Sequence, residues 1–346
     1  MRANIRPADL EADRTIVIEA LSRHLKSECD EDRFDWLYLQ NPHGRALTWI
    51  ATEGNSSRVL GIASAFPRLL RVNGKLKHGC VLGDFYIIPE HRSLGPALQL
   101  QRACLASIRE EELAFCYDFP SLVMTAIHKR LGNPMTGNFR RLCKRLRIAE
   151  THAEGTKRSF MPDRFNNLGN RLLGLLDQLP RLSSKAEFRI HSGPCDSSFS
   201  DLVERVSSTY GICVDRSADY LNWRYLRHPY RRHEIVTAHF QQQLTAYAVF
   251  THENSNAGIV DLFGDADRNS IGSLVRHVIG LLRRRGVVRL DIGLLDGHPW
   301  NTWVRRLGFF SREAYPVVTL VTSSSPEGAR IAENPAFFLM HGDRES

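Results

Sequence analysis

The sequence lacks the signatures that announce many chemistries. No apolar run approaches the roughly 18 residues that a spanning helix needs. The opening stretch MRANIRPADLEADR carries acidic residues and no apolar signal core. Both features lead to the expectation of a cytoplasmic protein with no membrane span. The seven cysteines, at positions 29, 80, 104, 116, 143, 195 and 213, are odd in number and contain no C-x-x-C pair. Neither a disulfide framework nor a zinc knuckle is signalled, and reduced core residues are expected. Fourteen histidines form no H-E-x-x-H pair, and no G-x-x-x-x-G-K-[ST] loop occurs, which disfavours metal catalysis and nucleotide hydrolysis. The basic clusters, Arg140 to Arg147 and Arg283 to Arg285, have no interleaved aromatics. They read as solvated faces or as contacts for an anionic small ligand, and no nucleic acid is expected.

What is present is an ordinary soluble composition, 42% hydrophobic and 24% charged, over 346 residues, enough for two domains. Residues 8 to 28 and Asp30 to Tyr38 read as helices. Ala46 to Thr52, Val59 to Phe66, Leu69 to Val72 and Leu76 to Leu82 read as strands, the last two joined at Asn73-Gly74. A strand from Leu113 to Tyr117, a helix from Ser121 to Leu131 and a strand around Phe139 to Ile148 follow. This order is an α/β pattern with a mixed sheet.

The most informative stretch is GDFYIIPEHRSLGPALQLQRACLASI, Gly83 to Ile108. Asp84 to Ile88 is a short β-branched and aromatic run that Pro89 stops, because proline has no N–H to give to a ladder. Pro96 suits the first turn of a helix, and Ala97, Leu100, Cys104 and Ile108 then share one face. A helix entered this way turns free backbone N–H groups toward the strand's end, which favours a phosphate.

Arg92-x-x-Gly95-x-Ala97 resembles the pyrophosphate-binding motif of the GNAT superfamily of N-acetyltransferases, (Arg or Gln)-x-x-Gly-x-(Gly or Ala). The element order of residues 1 to 148 is also similar to a GNAT domain. The resemblance implies that acetyl-CoA is the cosubstrate, with its pyrophosphate over Arg92, Leu94, Gly95, Pro96 and Ala97. A backbone N–H near Ile87 or Ile88 would polarise the acyl carbonyl. Asp84 would be the base, directly or through water, and His128, standing where the family's helix carries a tyrosine, the proton donor to the leaving thiolate. Two departures accompany the likeness: Ser121 stands at the family's asparagine position and Asn133 at its phenylalanine position. Pro96 also removes one backbone donor.

The landmarks then repeat. Trp36-x-Tyr38-Leu39-x-x-Pro42 returns 187 positions on as Trp223-x-Tyr225-Leu226-x-x-Pro229, and Lys129-Arg130-Leu131-Gly132 returns 176 positions on as Arg305-Arg306-Leu307-Gly308. The second copy has Val304 where the first has His128, and its turn at Arg268 is one residue out of register. The expected architecture is therefore α/β (α+β) with two GNAT-like domains, each a mixed, mainly antiparallel sheet flanked by helices. Residues 1–150 form the acyl-CoA-binding domain, 151–187 a linker with an amphipathic helix, 188–325 a degenerate second domain and 326–346 a tail. Trp36, Trp223, Arg224 and Tyr225 either pack a core or touch substrate.

The expected activity is acyl-CoA-dependent N-acyl transfer, by direct attack of a small-molecule or peptide amine, with one CoA per chain. Two other readings stay open: a non-catalytic CoA-binding or scaffold protein, and a Fem-like transferase using aminoacyl-tRNA, since Fem-like proteins also pair two such domains.

Overall fold

The computed structural model describes residues 3–23, 29–54, 58–91, 94–110, 113, 115–147, 186–265, 268–321 and 337–345, without the side chains of Leu94, Arg109, Glu110, Arg268, Asn269 and Val321. The expected linker helix, Arg92 and the segment 322–336 lie outside the described residues.

In the first half, β1 (Ala3–Pro7) precedes helix α1 (Arg14–Ser22) and a short helix α2 (Glu31–Phe34) that runs on as a π-helical turn, Asp35–Leu39. Strands β2 (Leu47–Glu53), β3 (Val59–Val72) and β4 (Lys75–Ile87) then form an antiparallel meander. Sequence reading splits β3 and β4 into shorter runs, yet each is one long strand. Pro67 lies within β3 opposite Cys80, between the end of the pairing with β2 at Ala65 and the start of the pairing with a later strand at Leu70. Its missing N–H therefore breaks no ladder bond. Asn73 and Gly74, both at positive φ, close the β3–β4 turn. Helix α3 (Leu94–Glu110) packs across β1, β2 and β3, followed by β5 (Phe115–Asp118), α4 (Leu122–Arg130) and β6 (Met135–Arg145). Gly132 ends α4 at a left-handed φ of 73°, which glycine adopts without strain.

The second half follows the same plan. It comprises β7 (Glu187–Ile190), α5 (Ser197–Val206), β8 (Ile212–Val214), α6 (Ala218–Leu221) with a second π-helical turn Asn222–Leu226, and the meander β9 (His233–Phe240), β10 (Gln243–Glu253) and β11 (Asn256–Gly264). Then come α7 (Arg268–Arg284), β12 (Arg289–Leu295), α8 (Asn301–Arg306) and β13 (Phe310–Val321), with the short β14 (Phe337–Phe338) beside β8.

Among the described residues a single 14-stranded sheet joins the halves, in the order β1-β2-β3-β4-β5-β13-β6-β12-β11-β10-β9-β7, with β8 and β14 off this path. The last strands are exchanged: β13 pairs with β5 of the first half, and β6 pairs with β12 of the second. The larger apolar core likewise runs through both halves, from Tyr38 and Phe66 to Trp223 and Tyr247.

The repeated tryptophans meet at the centre. Trp36 and Trp223 stack at 5.0 Å between ring centroids. The Trp36 indole N–H donates to the carbonyl of Trp223 at 2.9 Å, and that of Trp223 donates to the carbonyl of Trp36 at 2.8 Å. Both rings are almost fully buried. Replacing Trp223 with alanine opens a cavity and orphans a carbonyl. The expected loss in chemical denaturation is about 3–5 kcal/mol, and a loss below about 1 kcal/mol would show that the pair does not hold the halves together.

Candidate functional site

The sheet opens between β4 and β5. These parallel strands pair only from Gly79–Phe115 to Val81–Tyr117, after which β4 runs on to Ile87 while β5 stays with β13. The register of β4 against β3 also shifts here, with Ile62 opposite Tyr86 and Ser64 opposite Gly83. Asp84 and Phe85 together face Ala63, and Asp84 takes a φ of 47°. An aspartate tolerates this left-handed conformation better than most residues, and such bulges re-aim side chains.

The bulge turns the Asp84 carboxylate into the interior, where Arg33 grips it bidentately at 2.8 Å on each oxygen and the Tyr38 hydroxyl donates to it at 2.7 Å. All three groups are buried. Burial works against the Arg33 charge, but the neighbouring Asp84 raises the guanidinium pKa above its ordinary value. Burial and then the Asp84 charge push the Tyr38 hydroxyl well above its ordinary value. Asp84 therefore anchors the bulge to α2 and the first π-helical turn, and its oxygens are occupied. Neither Arg33 nor Tyr38 was among the candidates from sequence, since a pair separated by 51 positions has no local pattern.

His128 is also engaged in the interior. Its ring is fully buried, Nε2 lies 2.8 Å from Asp118 Oδ2, and the Asn133 amide lies 2.8 Å from Nδ1. With the Asn133 N–H donating to Nδ1, the ring proton sits on Nε2 and goes to Asp118. The histidine ties α4 to the end of β5. The Ile88 N–H donates to the Leu60 carbonyl at 2.9 Å.

At the mouth of the opening, β4 gives way to a short turn, Pro89–His91, and then to α3. Gly95 is exposed in the first turn of α3, and a Cβ built on it would meet no atom within 4 Å. Pro96 and Ala97 are buried beneath it.

The four residues expected to pack a core or touch substrate sit in the interior. Trp36, Trp223, Arg224 and Tyr225 are all buried. Arg224 instead holds a strap, Phe337 to Glu345, by donating to the carbonyls of Gly342 at 2.8 Å and Arg344 at 3.0 Å. The Tyr117 hydroxyl donates to the Asp343 carbonyl at 2.7 Å, and the buried Arg216 bridges the carboxylates of Asp261 and Asp343. Met340 bridges Leu294 of β12, while Gly342 approaches the Val260 carbonyl of β11 so closely that a Cβ would sit 3.1 Å from it. Strands β11 and β12 pair only from Asn256–Arg289 to Ile259–Ile292, so the strap lies where the second half opens. Its far end crosses to the first half. The Arg344 guanidinium lies over Phe119, and Glu345 packs against Gly83. A cavity of about 440 Å³ adjoins the strap at His341 and Arg344 and is lined also by Arg141, Arg231, Glu253 and Tyr315. A second, of about 500 Å³, lies between α1 and the end of β4, against Ile16, Arg23, Tyr86 and Ile88.

No protein-family model and no curated protein sequence matches the chain. Solved structures do. A conserved protein from Enterococcus faecalis described as a probable N-acyltransferase superimposes over 93% of this chain and 73% of its own, with a TM-score of 0.67 and 12% identity. A tandem GNAT protein of the clavulanic acid biosynthesis pathway covers 94% of this chain and 100% of its own, at a TM-score of 0.55 and 14% identity. The N-myristoyltransferase of Saccharomyces cerevisiae with bound myristoyl-CoA covers 92% and 83%, at 0.58 and 12%. The chain thus has the GNAT fold in its tandem form, with the mixed, mainly antiparallel sheet expected from sequence.

Arg33→Met tests the lock on the bulge. It leaves Asp84 charged and buried without its partner, and the expected destabilisation is about 3–5 kcal/mol, read by denaturant titration. A change within about 0.5 kcal/mol, the range of ordinary surface substitutions, would mean that the pair does not fix the bulge.

Proposed function

We propose that the protein is an acyl-CoA-dependent N-acyltransferase that moves an acetyl group from acetyl-CoA to the amine of a small-molecule or peptide acceptor. The observation that carries this reading is the opening of β4 from β5 directly in front of the α3 N-terminus. An extended thioester can lie there against a strand edge while its phosphates meet the helix's first turn. Gly95 and Ala97 would supply backbone N–H groups and Arg92 a charge, Pro96 contributing none. A backbone N–H near Ile87 or Ile88, at the end of β4, is the candidate for polarising the acyl carbonyl. Residues 1–150 supply this machinery, with β13 completing their sheet, and residues 188–325 act as its accessory partner.

The strap supports a stoichiometry of one. It occupies the opening of the second half with Met340 and Gly342, leaving the first half's opening for the cosubstrate. The ligand bound in the yeast neighbour, myristoyl-CoA, extends the set of donors worth testing beyond acetyl-CoA.

Gly95→Glu is the direct test. The open space at Gly95 lets the variant fold, while the new carboxylate repels the pyrophosphate. Calorimetry is expected to give one acetyl-CoA per wild-type chain and at least a tenfold weaker dissociation constant in the variant, with unchanged thermal unfolding. Two equivalents bound, or equal affinities, would contradict the proposed site, and no acyl-CoA binding by the wild type would end the acyltransferase reading.

A further inference from the structure

With Asp84 held by Arg33 and Tyr38, the chemistry needs a different proton acceptor, and the molecule has one. Glu345, at the far end of the strap, packs its side chain against Gly83, one residue before the bulge. A Cβ on Gly83 would lie 2.6 Å from Glu345 Cγ, 2.8 Å from its Cβ and 3.0 Å from the Phe66 ring. The strand has a glycine where the carboxylate arm approaches. Glu345 lies on the Phe66 and Tyr38 face of β4, opposite the face covered by α3. Its Oε2 is buried and has no hydrogen-bond partner among the described residues. That is an expensive state for a carboxylate unless a ligand completes it.

We propose that Glu345 is the general base of the transfer reaction, taking the proton from the acceptor's ammonium group at the edge of the β4–β5 opening. This inference rests on the acyltransferase reading and names the group that makes the amine nucleophilic. The ammonium gives one proton to the Glu345 carboxylate. The freed amine attacks the thioester carbonyl, a C–N bond forms, and the C–S bond breaks with its electron pair leaving on the CoA sulfur. The second proton lost by nitrogen neutralises the thiolate, and the proton on Glu345 passes to solvent. The products are the amide, CoA thiol and one proton.

The surroundings match this role. Burial raises the Glu345 carboxyl above its ordinary value; Arg344 on the strap opposes the shift, and Asp118 of β5 and Asp84 of β4 add to it. Arg224, from the second π-helical turn, also acts on it. A base with a raised pKa is closer to that of an ammonium at neutral pH than an ordinary carboxylate is. Arg224 and Tyr117 hold the strap backbone and Arg216 holds the Asp343 carboxylate, so the arm has a fixed root. The 440 Å³ cavity reaches Arg344, the residue before Glu345.

The experiment compares wild type, Glu345→Gln and Glu345→Asp for acetyl-CoA binding by calorimetry and for acetyl transfer to a panel of primary amines from pH 5 to 10. Glu345→Gln is expected to bind acetyl-CoA as wild type does and to lose about 10²–10⁴-fold in kcat, together with the acid limb of the pH profile. Glu345→Asp is expected to keep that limb at a lower rate. Carboxyl-labelled NMR titration of the wild type, with the Gln variant assigning the signal, is expected to place Glu345 above its ordinary range without any acceptor present. Full activity and an unchanged limb in Glu345→Gln, or an ordinary titration of Glu345, would overturn the assignment. A wild type that binds no acetyl-CoA would overturn the underlying reading as well, and calorimetry separates that case from the other two.

Discussion

The reciprocal stack of Trp36 and Trp223 is the constraint on which the rest depends. Two rings 5.0 Å apart, each bonded to the other's backbone, fix the two π-helical turns face to face. Stacking of this kind contributes roughly 0.5–1.5 kcal/mol beyond area burial, but its positional effect is larger. Tyr38, two residues after Trp36, reaches Asp84 and the bulge. Arg224, one residue after Trp223, reaches the strap. The same joint therefore sets both walls of the opening, one from each half.

Interior arginines carry much of the architecture. Arg33, Arg68, Arg216 and Arg224 are all buried. Arg33 and Arg216 meet carboxylates, whereas Arg68 and Arg224 donate to main-chain carbonyls and lie over aromatic rings. Planar, multiply donating guanidinium groups suit such roles better than lysine would.

Local pattern carried the sequence reading as far as local pattern extends. Asn73-Gly74 marked a turn because both residues must take positive φ. Ser121 marked a helix start because its hydroxyl accepts from the Met124 N–H. The W-x-Y-L repeat marked the duplication because both copies solve the same packing problem. The exchange of β6 and β13 was not legible, since alternation identifies a strand without naming its neighbour. His128 could be placed on its helix but not in its hydrogen bonds, because Asp118 and Asn133 reach it from different elements. The strap had no periodicity to reveal it. Its residues are ordered by Arg216 and Arg224, more than a hundred positions away.

The exchanged strands have a consequence for how the chain acquires its shape. β5 gains its neighbour β13 only after nearly two hundred intervening residues have been made, and β6 waits for β12. Pairing so remote in sequence closes large loops before any contact compensates for them, which slows folding. During synthesis the edges of β5 and β6 stand open, and open edges invite pairing with other chains. The tandem arrangement thus trades the independent folding of two small units for one sheet that closes late, and its yield in a cell depends on how those edges are shielded meanwhile.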